Sequence, residues 1–172
     1  RYAAYWLLKN KSKHKINFLK IKFKKLNYKK LEKLNLHSPN ISETSAMIAK
    51  NDKIRKILKK YQLKFAKKYK NCCIEGRDIS TKILPKSNLK FFFVCNLNEA
   101  SIRRFRELKK NNLNLKLKDV KRALRIRNKS DINRKNSPLL KHRDSVVIDT
   151  GKLSKQAMLK KMSQHVERFF TK

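Results

Sequence analysis

Residues 72–79 read Cys-Cys-Ile-Glu-Gly-Arg-Asp-Ile, and this stretch decides how the rest of the chain is interpreted. Cys72–Glu75 is a short, mainly apolar run ended by Gly76, which is typical of a buried strand followed by a turn. An arginine and an aspartate directly after such a strand predict a ligand-binding turn, because parallel sheets bind ligands beyond the carboxyl ends of their strands. Asp78 could equally hold Arg77 in a structural ion pair, so both interpretations stay open.

Downstream of this stretch, short apolar runs alternate with helical patterns. Leu89–Cys95, which is rich in Phe, and Val146–Ile148 are predicted to be buried strands. The predicted helices of this part are Glu99–Asn111, Leu117–Asn128 and Ser154–Phe170. Strands that alternate with helices indicate βαβ units, so the sequence predicts an α/β fold with a parallel sheet.

Upstream of residue 72 the pattern is helical. Arg1–Lys9 reads as an apolar helix, and Lys11–Leu36 combines many lysines with an apolar stripe that favours a helix followed by a short irregular stretch. Ser42 is predicted to cap a helix over Glu43–Ala49, and a further helix is predicted over Asp52–Tyr69.

The chain is strongly basic, with 48 Lys and Arg against 12 Asp and Glu and a formal net charge of +36. Such a charge attracts polyanions, nucleic acids first among them. Lysines are spread along the whole sequence, however, and a solvated Lys-rich surface on an ordinary enzyme explains the same charge. Both interpretations stay open from composition alone.

Other sequence features argue against several classes of protein. No apolar run approaches the roughly 18 residues of a membrane helix, which indicates a soluble, cytoplasmic protein without a membrane partner. The three cysteines lack C-x-x-C spacing and the four histidines are scattered in polar surroundings. We therefore expect no metal site and no disulfide framework.

Arginines are the informative basic residues, because their planar fork grips phosphate in a way that lysine cannot. Eight of the 12 arginines fall between Arg77 and Arg134. Arg127, Asp131 and Arg134 have the spacing i, i+4 and i+7, which places two guanidinium groups and one carboxylate on one helical face. This group suits a phosphate and a ribose hydroxyl, although an exposed ladder of ion pairs has the same spacing. Ser137-Pro138 predicts that the helix ends near Arg134.

A phosphate-cradling loop of the form G-x-x-x-x-G-K-[ST] is absent from the sequence. The chain has two glycines, Gly76 and Gly151, and neither lies in that pattern. The 172 residues therefore contain no recognisable ATP cradle.

Taken in order, these segments resemble cytidylate kinase, a family of P-loop nucleoside monophosphate kinases. The resemblance runs from about residue 38 to the C-terminus, with a weaker match at Arg1. The matching segments are Ile74–Ile79, Ile83–Pro85, Leu89–Phe92, Arg127–Asp131, Asn133-Arg134, Ser137–Leu139, Val147–Thr150 and Leu153-Ser154.

The resemblance implies a three-layer P-loop kinase fold of the α/β class with a parallel sheet, here lacking the first strand, the P-loop and the first helix. Residues 1–172 would then be part of a single domain, with a CMP-binding helical region over 10–70 and a core over 71–172 that includes a lid at about 112–140. The natural protein would be longer by about 30 to 45 residues, the size of such a unit.

The family's site residues can be carried over by position. The resemblance implies that Arg77 and Arg134 hold the CMP phosphate with help from Arg127, so that these three are the catalytic residues. Asp131 would bind the ribose hydroxyl. We further expect that Arg134→Ala lowers turnover far more than stability.

For the base and the donor, the resemblance implies that Arg55 and Asp78 read the cytosine. The family's cytosine-binding serine falls at Ala46, so either Ser45 takes over its role or that contact is lost. The remaining matches concern phosphates: Arg1 would touch the acceptor phosphate, and Arg103 and Arg104 would face the donor phosphates.

The implied activity is the phosphorylation of CMP and dCMP by ATP, with Mg²⁺ bridging the donor phosphates, in a monomer with no specific nucleic-acid partner. Without a P-loop, this chain alone is expected to be inactive. Two alternatives remain at this point: a basic RNA-binding protein, which would explain the charge, and an inactive fragment or scaffold, which would explain the missing cradle.

Overall fold

The computed structural model describes residues 1–10, 14–69, 71–110 and 114–171. The chain forms two compact units, Arg1–Ile74 and Glu75–Lys172. The predicted assignment of the whole chain to one domain remains a prediction.

The described part of the first unit is helical. Its elements are α1 (Tyr2–Lys9), α2 (Lys15–Lys24), α3 (Tyr28–Leu31), α4 (Pro39–Ile48) and α5 (Asp52–Lys68). The helices predicted at residues 1–9 and 52–69 are thereby confirmed. The predicted helix that starts at Lys11 is confirmed from Lys15 onward, while residues 11–13 lie outside the described residues.

The core of the first unit lies where α1, α2 and α5 meet. Leu19 and Phe23 of α2 are buried together with Ile54 and Ile57 of α5, and Ala3 lets α1 approach them closely. Burial of each large apolar side chain stabilises the unit by about 1.5 to 3 kcal/mol. The apolar stripe of α5 is therefore used for packing, and its opposite side faces solvent.

Helix α4 starts earlier than the sequence analysis predicted. Ser38, not Ser42, is the N-cap: its Oγ accepts the Ile41 N–H at 3.4 Å, and Pro39 occupies the first turn. Proline fits that position because the first amides of a helix have no intrahelical acceptor. The Ser38-Pro39 pair thus starts the helix, and the prediction that Ser42 caps it is wrong.

The second unit combines a parallel sheet with helices. It contains a π-helical turn (Ile79–Ile83), β1 (Phe91–Val94), α6 (Leu97–Lys109), α7 (Leu117–Asn133), β2 (Val146–Asp149) and α8 (Lys155–Phe170). The predicted α/β fold with a parallel sheet is confirmed. Asn111, the predicted end of α6, lies outside the described residues, as do residues 112 and 113 of the predicted lid.

Strands β1 and β2 pair in parallel with Phe91 opposite Val146 and Val94 opposite Asp149. Helix α8 contacts this sheet, since the rings of His165 and Phe91 lie 6.1 Å apart in an edge-on arrangement. The carboxyl ends of both strands lie at the same edge, which is where ligands bind in such sheets.

Two predictions about strands are wrong. Cys72–Glu75 is not a strand, and both of its cysteines are exposed. A strand needs a neighbour for its backbone N–H and C=O groups, and no strand of the described residues pairs with this run. The sheet is also not buried on both faces: Phe93 is 49% and Val147 is 41% exposed.

No helix within the described ranges is long and apolar enough to cross a membrane.

Candidate functional site

The turn that follows Gly76 is wound more widely than an α-helix. The carbonyl of Asp78 accepts the amides of Lys82 at 2.9 Å and Ile83 at 3.2 Å, so the turn closes one residue later than usual. Gly76 is required by space: a Cβ there would lie 2.5 Å from Cγ1 of Ile79. Such π-turns often occur at functional sites, and this one presents Arg77 and Asp78 side by side.

Asp131 is the centre of the candidate site. It lies in the last turn of α7 and is only 6% exposed. Its Oδ2 is 3.3 Å from Nε of Arg77 and 3.8 Å from Nε of Arg127, and its Oδ1 is 3.4 Å from Nη1 of Arg134. We call these three arginines the arginine cluster. One buried carboxylate therefore holds three guanidinium groups together.

Arg134 is the most deeply held member of the arginine cluster. Its side chain is 8% exposed, its Nη2 is 3.7 Å from Oδ1 of Asp78, and its Nε donates to the carbonyl of Ser137. Because it pairs with both Asp78 and Asp131, it joins the turn after Gly76 to the end of α7.

A tight loop after α7 presents the Ser137 carbonyl to Arg134. Ser137 has φ 54°, a left-handed conformation that is uncommon outside glycine. Leu139 then donates its amide to the carbonyl of Asp131 at 2.7 Å, which satisfies a carbonyl that the end of a helix leaves without an intrahelical donor. Backbone strain of this kind is concentrated at functional sites.

The charges of this site favour an anionic ligand. Three guanidinium groups face two carboxylates, those of Asp78 and Asp131, which leaves one net positive charge. The ion-pair distances of 3.3 to 3.8 Å exceed the roughly 2.7 to 2.9 Å of a tight charge-assisted hydrogen bond. The side chains of Arg77 and Arg127 are 35% and 33% exposed. They are therefore accessible to a phosphate from solvent.

Of the alternatives that the sequence left open, the ion pair of Arg77 with Asp78 is replaced by a pair of Arg77 with Asp131. An exposed ladder of ion pairs along α7 is also wrong, since Asp131 is buried and Arg134 lies just past the helix end.

The structure separates the two residues predicted to face the donor. Arg103 of α6 donates to the carbonyl of Thr150, and Thr150 Oγ1 donates to the carbonyl of Val94 at 3.1 Å. Arg103 therefore lies at the carboxyl edge of the sheet. Arg104 instead forms an ion pair with Glu107 on its own helix, at 2.7 Å.

The other predicted site residues belong to the first unit. Arg1 donates to the carbonyl of Leu36 at 3.0 Å, and Arg55 donates to the carbonyl of Ala49 at 3.3 Å. Ser45 lies on α4, and its buried Oγ has no hydrogen-bond partner among the described residues. A buried hydroxyl without a partner is costly unless a ligand supplies one.

Sequence reasoning missed two residues of interest. The Oγ of Ser42 is also buried without a hydrogen-bond partner in the described part of the chain, one helical turn before Ser45. The signal was the i, i+3 spacing of the two serines, which sets both hydroxyls on one face of α4. Ser137 was seen only as the residue before Pro138, and that pattern does not give the sign of φ.

The described residues contain no group of three or more His, Cys, Asp or Glu side chains that could hold a metal ion.

The family model for cytidylate kinase matches residues 4–168 of this chain. The chain belongs to the cytidylate kinase family. It is 31% identical to the cytidylate kinase of Rickettsia africae over 137 residues, which cover 80% of this chain and 63% of that protein. It is 36% identical to the cytidylate kinase of Thermotoga neapolitana over 132 residues, which cover 77% of this chain and 60% of that protein.

A third relative, the cytidylate kinase of Caldanaerobacter subterraneus, is 32% identical over 133 residues, which cover 77% of this chain and 59% of that protein. The chain thus spans about three fifths of the length of the curated relatives that it matches. The parallel sheet flanked by helices agrees with the α/β fold that the family resemblance implied.

Proposed function

We propose that this chain carries the acceptor site of a cytidylate kinase, which transfers the γ-phosphoryl group of ATP to CMP and dCMP. The observation that supports this most strongly is the convergence of Arg77, Arg127 and Arg134 on the buried Asp131. The acceptor is itself a phosphate, so no general base is needed, and catalysis rests on positioning and on neutralising charge.

In this proposal the two accessible arginines do most of the binding. Arg77 and Arg127 turn from Asp131 toward the CMP phosphate, where their planar forks each donate two hydrogen bonds. Arg134 stays anchored between the two carboxylates and supplies fixed positive charge. Asp131 holds the cluster together in the absence of the ligand and accepts a ribose hydroxyl when CMP is bound.

The base is proposed to be read by Arg55, Asp78 and Ser45. The unpartnered Ser45 hydroxyl supports its part in this role, because a nucleobase would provide the missing hydrogen bond. Ala46 has no polar group with which to make that contact. Arg1 is proposed to assist at the acceptor phosphate.

The 172 residues are proposed to supply only part of the binding site for ATP, the phosphate donor. Arg103, at the carboxyl edge of the sheet, supports a role beside the donor phosphates, and Arg104 is proposed to assist it. Since the sequence lacks a phosphate cradle, we propose that sequence outside these 172 residues supplies it. Mg²⁺ would be held by the phosphates of ATP and would neutralise their charge.

The acceptor site can be tested by equilibrium binding of CMP to Arg127→Lys. Lysine keeps the charge but loses the fork, so we expect an affinity about 10-fold to 100-fold lower, the loss of one charge-assisted hydrogen bond. Arg125→Lys is the matched control, because Arg125 is an exposed arginine on the same helix. Equal affinities for the two variants would overturn the proposed role of the cluster.

The reaction can be tested by ATP-dependent phosphorylation of CMP, dCMP, UMP and AMP. The assay compares this chain with a protein extended upstream to the natural start codon. We expect the extended protein to phosphorylate CMP and dCMP in preference to UMP and AMP. A folded extended protein that has a phosphate cradle and binds CMP without phosphorylating it would instead indicate a scaffold.

A further inference from the structure

Helix α5 carries an arrangement of lysines that the proposed kinase function does not use. Five of its lysines follow one another at steps of three, four, four and three residues, so they lie in one line on the helix. We call them the lysine stripe: Lys53, Lys56, Lys60, Lys64 and Lys67. All five are exposed. At about 1.5 Å per residue the stripe is about 21 Å long.

The side of α5 that borders the lysine stripe is already occupied. Ile54 and Ile57 are buried in the core of the first unit, and Leu58 and Tyr61 pack against it. The position of the helix is therefore fixed by its apolar side, while the lysine stripe stays exposed beside it. Arg55 lies off the stripe, so a ligand on the stripe would not need the proposed base-reading residues.

Local compensation for the charge of the lysine stripe is confined to the first turn of α5. The one acidic residue of α5 is Asp52, at its first position. Like charges three or four residues apart destabilise a helix by about 0.2 to 0.5 kcal/mol for each pair. Lysine is common throughout this chain, so the number of lysines means little. Their alignment, with Asp52 at its start and no acidic residue in the rest of the helix, is the informative observation.

We propose that the lysine stripe of α5 is a docking surface for the phosphodiester backbone of single-stranded RNA, bound without regard to base sequence. Lysines are point charges that contact phosphates and do not read base edges as a guanidinium fork does. They recur about every 5.4 Å along the helix. Successive phosphates lie closer together in an RNA strand than in a DNA strand, which makes RNA the better match.

An anionic membrane is the other obvious polyanion, and the structure disfavours it. A helix that binds a bilayer buries its apolar face among the lipids, but the apolar face of α5 is in the core of the unit. Leu63, 40% exposed, borders the stripe. One leucine gives too little apolar area to hold a helix in lipid.

The test compares two variants of equal charge. Lys53→Gln/Lys56→Gln/Lys60→Gln/Lys64→Gln removes four lysines of the stripe. Its matched control carries Gln at four exposed lysines of the second unit: Lys152, Lys155, Lys160 and Lys161. Both variants lower the net charge of +36 by four. Gln and Lys have similar helix propensity, so the helices should persist, which circular dichroism checks.

The measurement is the affinity for a fluorescently labelled, unstructured 20-nucleotide RNA at salt concentrations between 50 and 200 mM. For a single strand each phosphate contact contributes about 0.7 to the slope of log K against log salt. For the stripe variant, which lacks four lysines, the magnitude of that slope should therefore be smaller by about 3. For the control variant the slope should be nearly unchanged. Equal losses in both variants, or no loss in the stripe variant, would overturn the proposal.

Two further ligands decide the identity of the partner. A single-stranded DNA of the same sequence should bind more weakly than the RNA, and vesicles of phosphatidylserine and phosphatidylcholine should bind both variants equally. If DNA bound more tightly, or if the stripe variant lost vesicle binding and kept RNA binding, the assignment to RNA would be wrong.

Discussion

Replacing Arg134 by alanine should reduce the stability of the second unit as well as its activity. The family resemblance led us to expect a loss of turnover with little loss of stability. The structure revises this expectation, because the Arg134 side chain is 8% exposed and pairs with Asp131 at 3.4 Å and with Asp78 at 3.7 Å. Its removal takes a cation away from two buried carboxylates.

The size of the loss of stability follows from the partners that Asp131 keeps. Removing one partner of a buried ion pair costs about 3 to 5 kcal/mol. Asp131 keeps Arg77 and Arg127, so the lower end, about 3 kcal/mol, applies. At about 4 to 8 °C per kcal/mol for a unit of the size of Glu75–Lys172, the Tm of the second unit should fall by about 12 to 24 °C.

Thermal unfolding followed by two signals can assign this loss to the second unit. The one tryptophan of the chain, Trp6, and all five tyrosines belong to the first unit. Tryptophan fluorescence therefore reports on the first unit, whereas far-ultraviolet circular dichroism also reports on the helices of the second. We expect the fall in Tm in the circular dichroism signal.

Arg143→Ala is the matched control, since Arg143 is 91% exposed and its pair with Asp144 is 3.5 Å long. An exposed pair of this kind is worth about 0 to 1 kcal/mol. Arg134→Lys should recover part of the stability, because it restores the charge but cannot bridge two carboxylates. If Arg134→Ala and Arg143→Ala unfolded within about 1 °C of each other, the buried pairs would not be stabilising the fold and the reasoning would be refuted.

Two smaller perturbations test local features of the fold. Ser38→Ala should destabilise the first unit by about 1 kcal/mol through loss of the helix cap. Ser42→Ala should cost less, because the buried Ser42 hydroxyl has no hydrogen-bond partner among the described residues. Chemical denaturation followed by tryptophan fluorescence compares the two variants, and equal losses of stability would contradict the cap assignment. Gly76→Ala forces Ile79 to move and should cost about 1 to 3 kcal/mol by circular dichroism. Gly151→Ala, whose added carbon would meet its nearest atom at 3.2 Å, should cost less.

Periodicity in the sequence was sufficient to predict the α/β class and most of the helices. Asp52–Lys68 and Lys155–Phe170 were found within one residue at each end, because each has an apolar stripe and a polar cap. Phe91–Val94 was found because a run of aromatic residues favours a strand. These features depend on neighbours in sequence, so the sequence reveals them.

Structural features that depend on contacts between residues far apart in the sequence could not be predicted from periodicity. Cys72–Glu75 has the composition of a strand, yet whether it forms one depends on a pairing partner that its own sequence does not encode. The i, i+4, i+7 spacing correctly grouped Arg127, Asp131 and Arg134, but it could not add Arg77. Arg77 is 54 residues away from Asp131, and only the fold brings the two into contact.

The arrangement of the site couples its chemistry to the folding of the second unit. Arg134 joins Asp78 of the π-helical turn to Asp131 at the end of α7, and Arg77 makes a second connection between the same two elements. The arginine cluster therefore exists only when the turn and the helix are both in place. Activity alone cannot show whether a variant of Arg134 has lost phosphate binding or the site itself. Arg127 is a third exposed, and lysine has a helix propensity similar to that of arginine. We therefore expect Arg127→Lys to lose binding without loss of the fold.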